Sequence, residues 1–307
     1  MLAFLFPGQG SQAVGMGKGF HDASSAARAV FDAANDVLGF NLSRMVFEGP
    51  EAELALTANT QPAVLTVSVA AAAACAERGL VPAIVTGHSL GEYSALVVAG
   101  ALAFADAVRV VRRRGELMQD AVPVGAGAMA AIMGLSLDVV ERVCAEAAAG
   151  EVVQVANINA TGQIVIAGHR AAVGRAVALA TEQGGKKSVM LPVSAPFHCA
   201  LMAPTAERLA PVLEALAVDD PRIPVVRNVD AGVTRTRADV KPFLLRQIAS
   251  PVRWTECVSR LVGEGVTTFV EVGPGRVLTG LLRRIVDGAR GLAVEDPAGL
   301  EKALAAR

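Results

Sequence analysis

Gly87-x-Ser89-x-Gly91 is the pattern in this chain whose residue types and spacing could make and break an acyl bond. In a nucleophile elbow, flanking glycines let a strained turn between strand and helix lift a serine hydroxyl clear of the backbone. A bare match of this kind arises often by chance. The setting singles this one out, because residues 83–86 read as a strand and the Ala/Val-rich run to about Ala99 reads as a helix. The helix beginning at Leu90 would aim its free N–H groups at the place where an oxyanion would form.

A serine needs a base, and the chain offers four histidines: His21, His88, His169 and His198. His88 adjoins the serine and must leave the turn in another direction, which makes it a structural contact. His21 sits in a polar approach to a helix, and His169 closes a strand. Elimination leaves His198, at the end of the segment Pro192-Val-Ser-Ala-Pro196-Phe197; a packed or surface histidine remains the competing reading there. Cys199 beside it diverges in direction and reads as a buried cysteine.

Arg114 is the third signal. In the helical stretch 106–120, Val110, Val111, Leu117 and Met118 lie three and four residues from it, so it shares their apolar face while Arg109, Arg112 and Arg113 point elsewhere. Two readings stand: a buried or snorkelling arginine with a protein partner, and a guanidinium fork awaiting a substrate carboxylate. A further pattern, Gly8-x-Gly10-x-x-Ala13, fits the dinucleotide fingerprint. The acidic residues about twenty positions on, Asp32 and Asp36, fall in a helical segment rather than at a second strand's end, which argues against dinucleotide binding.

These residues need a scaffold. Leu2–Phe6 reads as a buried strand entering the turn Pro7-Gly8-Gln9-Gly10-Ser11-Gln12, and residues 24–38, 60–77 and 106–120 read as helices. From about Gly125 the order becomes strand 129–133, helix 138–149, strands 152–158 and 163–168, helix 170–183 and strand 187–192. That βαββαβ order matches a ferredoxin-like unit, an insertion of about 70 residues in a larger α/β domain. A helix to about Ala217, a strand at 225–228, a helix near 240–248, the strand Thr268–Val272 and a final helix from Val277 complete the larger unit. The expected map is therefore 1–124 with 199–307 as a large subdomain and 125–198 as a small one.

The composition agrees. The chain has 307 residues, room for two modest domains at about 150 each. It is 53% hydrophobic and 19% charged, which excludes disorder, coiled coils and nucleic-acid tails. A net charge of −1 excludes a general attraction to polyanions, so nucleic acid is not expected and an acidic partner must find a local basic patch. Only 4% is aromatic; the Ala, Val and Leu excess suits helices packed on a buried parallel sheet. No run reaches about 18 uninterrupted apolar residues, since 62–76 carries Thr66 and Ser68, so no membrane span is expected. The apolar start lacks a basic leader region and reads as a strand, not a signal peptide. Cys75, Cys144, Cys199 and Cys257 lie far apart, which indicates neither a zinc site nor a disulfide framework and fits a reducing cytoplasm. A monomer without cofactor or metal is the expectation.

Over essentially its whole length the chain resembles the malonyl-CoA:acyl carrier protein transacylases. The resemblance is carried by Gly8-Gln9-Gly10-Ser11-Gln12, Gly87-His88-Ser89-Leu90-Gly91-Glu92, Arg114-Gly115, Asn157-Ile158-Asn159, Pro196-Phe197-His198, Gln247 ahead of Ser250-Pro251-Val252, and Glu271-Val272-Gly273-Pro274-Gly275. It implies an α/β fold with a hydrolase-like core, a mainly parallel sheet and helices on both faces. It implies ping-pong transfer from malonyl-CoA to acyl carrier protein through a malonyl ester of Ser89, with His198 as base and the N–H groups of Gln9 and Leu90 as oxyanion hole. Arg114 would grip the malonyl carboxylate, and the backbone carbonyl of Gln247 would orient His198 in place of an Asp. Asn157 and Asn159 would shape the cleft. In related acyltransferase domains a Phe before the histidine and an aliphatic residue after the serine accompany malonyl rather than methylmalonyl; here these are Phe197 and Leu90. Lys186, Lys187, Arg283 and Arg284 are candidates for docking the acidic carrier, on charge alone. A serine hydrolase or thioesterase would share the elbow but needs no buried arginine, and a malonate decarboxylase or polyketide subunit would share the chemistry with another carrier.

Overall fold

The computed structural model describes residues 1–123, 125–193 and 195–306. Val124 and Arg307, which bound the expected large subdomain, and Ser194 lie outside the described residues. Among the described residues ten strands run β1 Leu2–Phe6, β2 Ile84–Gly87, β3 Gly127–Met133, β4 Val153–Ala160, β5 Gln163–His169, β6 Lys187–Met190, β7 Val225–Val226, β8 Val233–Thr234, β9 Thr268–Val272 and β10 Arg290–Val294. They form two sheets: six strands in the order β10-β9-β1-β2-β7-β8, and four in the order β4-β5-β3-β6.

The six-stranded sheet is parallel except for β8, which runs antiparallel to β7. Its central strands are mostly apolar because both faces are covered, with Thr86 and Glu271 the fully buried polar exceptions. Phe6 pairs with Gly87, Leu5 with Glu271 and Thr86 with Val226. The chain therefore leaves β1, β2, β7 and β9 at one level, and the four following turns crowd one crevice outside the strands' carboxyl ends.

Helix Thr57–Glu77 is buried on nearly every side, between helices Ser25–Leu38 and Phe104–Gln119. Pro62 within it cannot donate to the carbonyl of Ala58. Arg112 Nη1 fills that place, 3.0 Å from the Ala58 oxygen.

All neighbouring strands of the four-stranded sheet pair antiparallel, and helices Leu137–Ala148 and Arg170–Glu182 cover one of its faces. Alternation along β5 separates two cores: Ile164 and Ile166 pack under those helices, while Val165 and Ala167 join the cluster of the larger unit. At its outer edge β4 docks on that unit, where Ile158 N–H donates to Val252 O and Val252 N–H to Ala156 O, 2.9 Å each. Register shifts on both sides of Asn157 and Ile158 break the β4 ladder there, as bulges do where a side chain is re-aimed.

Several elements differ from the sequence reading. The expected strand 225–228 shrinks to two residues because the chain turns after Val226 into a site loop, and β6 stops at Met190 instead of residue 192. The sequence reading did not include β8, β10 or helices Lys18–Ala23, Leu42–Glu48, Trp254–Gly263 and Pro297–Ala305. β10 exists because β9 offers an unpaired ladder beside it. No helix opens at Gly10: the next one starts at Lys18, so the Gly8 turn lacks the helix N-terminus that a pyrophosphate needs. Among the described residues no helix is long and apolar enough to cross a membrane, and no cluster of three or more His, Cys, Asp or Glu could hold a metal.

Candidate active site

Ser89 stands between β2 and the helix Gly91–Val98 with φ 52°, a left-handed conformation that a serine adopts only under constraint. The glycines make that turn possible by closeness rather than by flexibility. A Cβ on Gly87 would lie 2.0 Å from the Gly91 carbonyl, and one on Gly91 would lie 2.1 Å from the Phe6 oxygen. Gly8 presses equally hard on the elbow, its Cβ position 2.4 Å from the His88 carbonyl.

Asn228, just past β7, clamps the elbow. Its Oδ1 accepts from the Ser89 N–H at 2.7 Å, its Nδ2 donates to the Gly87 oxygen at 2.8 Å, and its own N–H donates to Glu92 Oε2 at 3.0 Å. The strained backbone is thus held by three hydrogen bonds, two of them buried, and breaking a buried one leaves its partner unsatisfied.

His198 lies beside the hydroxyl, its Nε2 2.8 Å from Ser89 Oγ, while its Nδ1 is 2.9 Å from the backbone oxygen of Gln247. A carbonyl only accepts, so the hydrogen sits on Nδ1 and leaves Nε2 free to take the serine proton. Burial foremost, and then the charge of Arg114, holds the imidazole down to about 3, so His198 is neutral. The other histidines are elsewhere engaged: His88 with Asn159 Oδ1 at 2.8 Å, His169 with the Val152 N–H at 3.0 Å, and His21 with Asp22 at the surface. Cys199 is buried, its thiol pushed up to about 11.

Arg114 is 1% exposed and ion-paired to no carboxylate among the described residues. Nη1 donates to Gln61 Oε1 at 2.7 Å; Nη2 donates to Gln247 Oε1 at 2.9 Å and to Ser89 Oγ at 3.2 Å. The Tyr93 ring lies 5.5 Å from the guanidinium carbon, and Nε has no hydrogen-bond partner among the described residues. Arg114 is thus a buried cation tethered to neutral protein partners, as the first of its two sequence readings expects, and no carboxylate among the described residues offsets its charge directly.

These groups line a cavity of about 120 Å³, together with Gln9, Leu90, Met118, Met129, Asn157, Leu191, Val193 and Phe197. The backbone N–H groups of Gln9 and Leu90 donate no hydrogen bond among the described residues, and both residues line the cavity. Asn157 and Asn159 share a second cavity of about 170 Å³ with the 7–11 turn and the helix Val277–Ile285. A third, of about 440 Å³, opens on the far side of His198 between Cys144, Gln154 and Ser250. Every site residue expected from the sequence is therefore at or beside one cleft. Gln61, Asn228 and the side chain of Gln247 escaped the sequence reading, and Glu92 entered it only as part of a motif. The one local signal is at Gln61, which closes the buried polar run Asn59-Thr60-Gln61 ahead of the mostly apolar remainder of the central helix.

The exposed cations Lys186 and Lys187 sit at β6, and Arg283 and Arg284 at the end of helix Val277–Ile285, where Arg284 reaches Gln163 across the two units.

A serine on an elbow, a neutral histidine and free amide donors define an α/β protein equipped for acyl chemistry. The profile of the acyl transferase domain matches residues 3–303. A malonyl CoA-acyl carrier protein transacylase of Bacillus subtilis is 49% identical over 304 residues, covering 99% of this chain and 96% of that one. An acyl carrier protein S-malonyltransferase of Vibrio cholerae superimposes with TM-score 0.96 at 48% identity, over 98% of this chain and 99% of the other. A malonyl-transacylase solved in complex with a type II PKS acyl-carrier protein gives TM-score 0.97 at 46% identity, over 100% and 99%. The chain belongs to the acyl transferase family, in its malonyl CoA-acyl carrier protein transacylase branch.

Proposed function

We propose that this chain moves a malonyl group from malonyl-CoA to the phosphopantetheine thiol of acyl carrier protein, through a malonyl ester of Ser89. The observation that carries this reading is a single oxygen, Ser89 Oγ, held at once by the neutral base and by an unpaired buried guanidinium.

In the first half-reaction His198 Nε2 takes the hydroxyl proton as Oγ bonds to the thioester carbon. The carbonyl oxygen becomes an oxyanion facing the N–H groups of Gln9 and Leu90. The tetrahedral centre collapses, the C–S bond breaks, and the CoA sulfur leaves with the proton from His198. Gln247 O steadies the imidazolium that exists between those transfers, the task that an Asp performs in a Ser-His-Asp triad. Arg114 holds the free malonyl carboxylate, giving up its contact with Oγ and directing the acyl group by a charge-assisted pair. In the second half-reaction His198 takes the proton of the carrier thiol as sulfur bonds to the ester carbon, the bond from that carbon to Ser89 Oγ breaks, and Oγ recovers the proton from His198. Phe197 and Leu90 narrow the cavity in favour of malonyl over methylmalonyl. Asn157 lines the same wall, and Lys186, Lys187, Arg283 and Arg284 would meet the acidic carrier.

The same reading assigns residues 1–124 and 199–307 to a hydrolase-like large subdomain and 125–198 to a small ferredoxin-like one; the βαββαβ order and the strand order of the smaller sheet support that division. Intact-mass spectrometry with malonyl-CoA tests the function: a malonyl adduct absent from Ser89→Ala and passed to pantetheinylated carrier is the expected result. An adduct released only by water would replace transfer with hydrolysis.

A further inference from the structure

Arg114 lacks a direct counter-ion, yet one hydrogen-bonded path leads from it to a carboxylate. Arg114 Nη2 donates to Gln247 Oε1 at 2.9 Å, and Gln247 Nε2 donates to Glu92 Oε2 at 2.8 Å. Glu92 stands in the first turn of the elbow helix and is 3% exposed. The catalytic steps above do not use it. We propose that Glu92 is the counter-charge of Arg114, relayed through the Gln247 amide, and that as a positioning residue it sets how strongly the cavity favours an acyl group bearing a carboxylate. This rests on the malonyl-transfer reading.

The argument is one of charge balance in a low-dielectric site. In the empty enzyme one cation and one anion share the buried network, and the amide between them is polarised from both ends. When a malonyl carboxylate reaches Arg114, the single guanidinium faces two anions. Glu92 then opposes the incoming carboxylate, whereas an acetyl group brings no charge for it to oppose. Glu92 thus keeps Arg114 ordered and charged while restraining the preference for malonyl.

The charge of Glu92 also changes within the working range. Burial pushes its carboxyl up to about 7, against the opposing pull of its Gln247 and Asn228 donors and of Arg227 and Arg114. The groups around it hold their charge states there. Arg227 is paired with Asp230 and Asp239, while burial raises both the Tyr93 phenol and the Cys257 thiol and keeps them neutral. His198, across Arg114, is held down to about 3 and is neutral as well.

The test is a competition between malonyl-CoA and acetyl-CoA for acylation of Ser89, read by intact mass on the full chain and its Glu92→Gln variant. The glutamine Oε1 can accept the same two hydrogen bonds without the charge. At about pH 8 the variant's malonyl-to-acetyl ratio should exceed the wild type's by about threefold or more. The wild-type ratio should rise by a similar factor as pH falls to about 6, with the variant's ratio flat. A Glu92→Gln chain that loses both acyl groups alike, with the wild-type ratio indifferent to pH, would show a merely structural carboxylate and overturn the proposal. Should the variant fail to fold, the wild-type pH series decides alone, and a flat ratio overturns it. A wild type that forms a malonyl adduct with a flat ratio sinks this proposal only; one that forms no malonyl adduct sinks the transfer reading with it.

Discussion

The two sheets meet across one cavity and contribute different kinds of atoms to it. The six-stranded sheet delivers polar groups at the ends of its strands: Gln9 after β1, Ser89 and Leu90 after β2, Asn228 after β7. Parallel strands end on one level, so their following turns bring free N–H and side-chain groups together without any helix having to bend. The four-stranded sheet and its exit segment deliver mostly apolar wall, with Met129, Leu191, Val193 and Phe197, and one amide, Asn157, at the β4 bulge. His198 falls where the chain returns from the smaller unit to the larger, and its φ of 61° shows that the junction is shaped for it. The six-stranded sheet therefore brings most of the polar groups to the cavity, and the four-stranded one most of its apolar wall.

That division can be broken by substitution, beginning with the large unit. Ser89→Ala should abolish the malonyl adduct and lower transfer by about a thousandfold or more in a carrier-loading assay, with the fold intact. Residual transfer at the wild-type rate would remove the nucleophile from the elbow. Arg114→Ala should cut malonyl transfer by about a hundredfold while raising acetyl relative to malonyl in competition, because the fork is lost but the oxyanion donors remain. Unchanged selectivity would end the carboxylate-clamp role.

Gly91→Ala probes the scaffold itself. Its Cβ would sit 2.1 Å from the Phe6 oxygen, backbone against backbone, so the elbow must open. A loss of about 3 kcal/mol in urea unfolding is expected, far above an ordinary glycine replacement. The pH profile is gentler. With His198 held down to about 3 by burial and by Arg114, its neutral form persists into acid, so Ser89 malonylation should not fall between about pH 8 and about pH 5.5. A histidine at its ordinary value would lose most of its free base over that range, and rapid-quench mass measurements separate the two cases.

The smallest effect belongs to the outer surface. Lys187→Glu with Arg284→Glu should raise KM for the carrier protein a few-fold and leave KM for malonyl-CoA unchanged, since rim charges steer encounter more than they hold it. Equal changes in both constants would move carrier docking elsewhere.

What could be read from the sequence divides along the same physical line. The elbow was legible because a strand, two glycines and a helix start are contiguous and their geometry is local. Arg114 was legible as a buried cation because helical periodicity assigns faces, although its partners were not. His198 emerged by elimination, which says nothing of distance. The edge strand β10 and the two-residue β8 carry too little pattern to stand out, and they form because an adjoining strand has free backbone groups to pair.

The sequence by itself determined which residues were candidates: a serine on a strained turn, a histidine left by elimination, and an arginine on an apolar helix face. Only the tertiary structure decided which of them meet. Ser89 touches His198 across 109 residues, Asn228 across 139 and Gln247 across 158, and Arg114 reaches Gln61 across 53. Such contacts come from how two sheets and a buried helix pack, and packing fixes distances that no local preference encodes. Glu92 shows this most plainly, since in the sequence it is only a letter in a motif, while in the folded protein it is linked to Arg114 by two hydrogen bonds through the Gln247 amide.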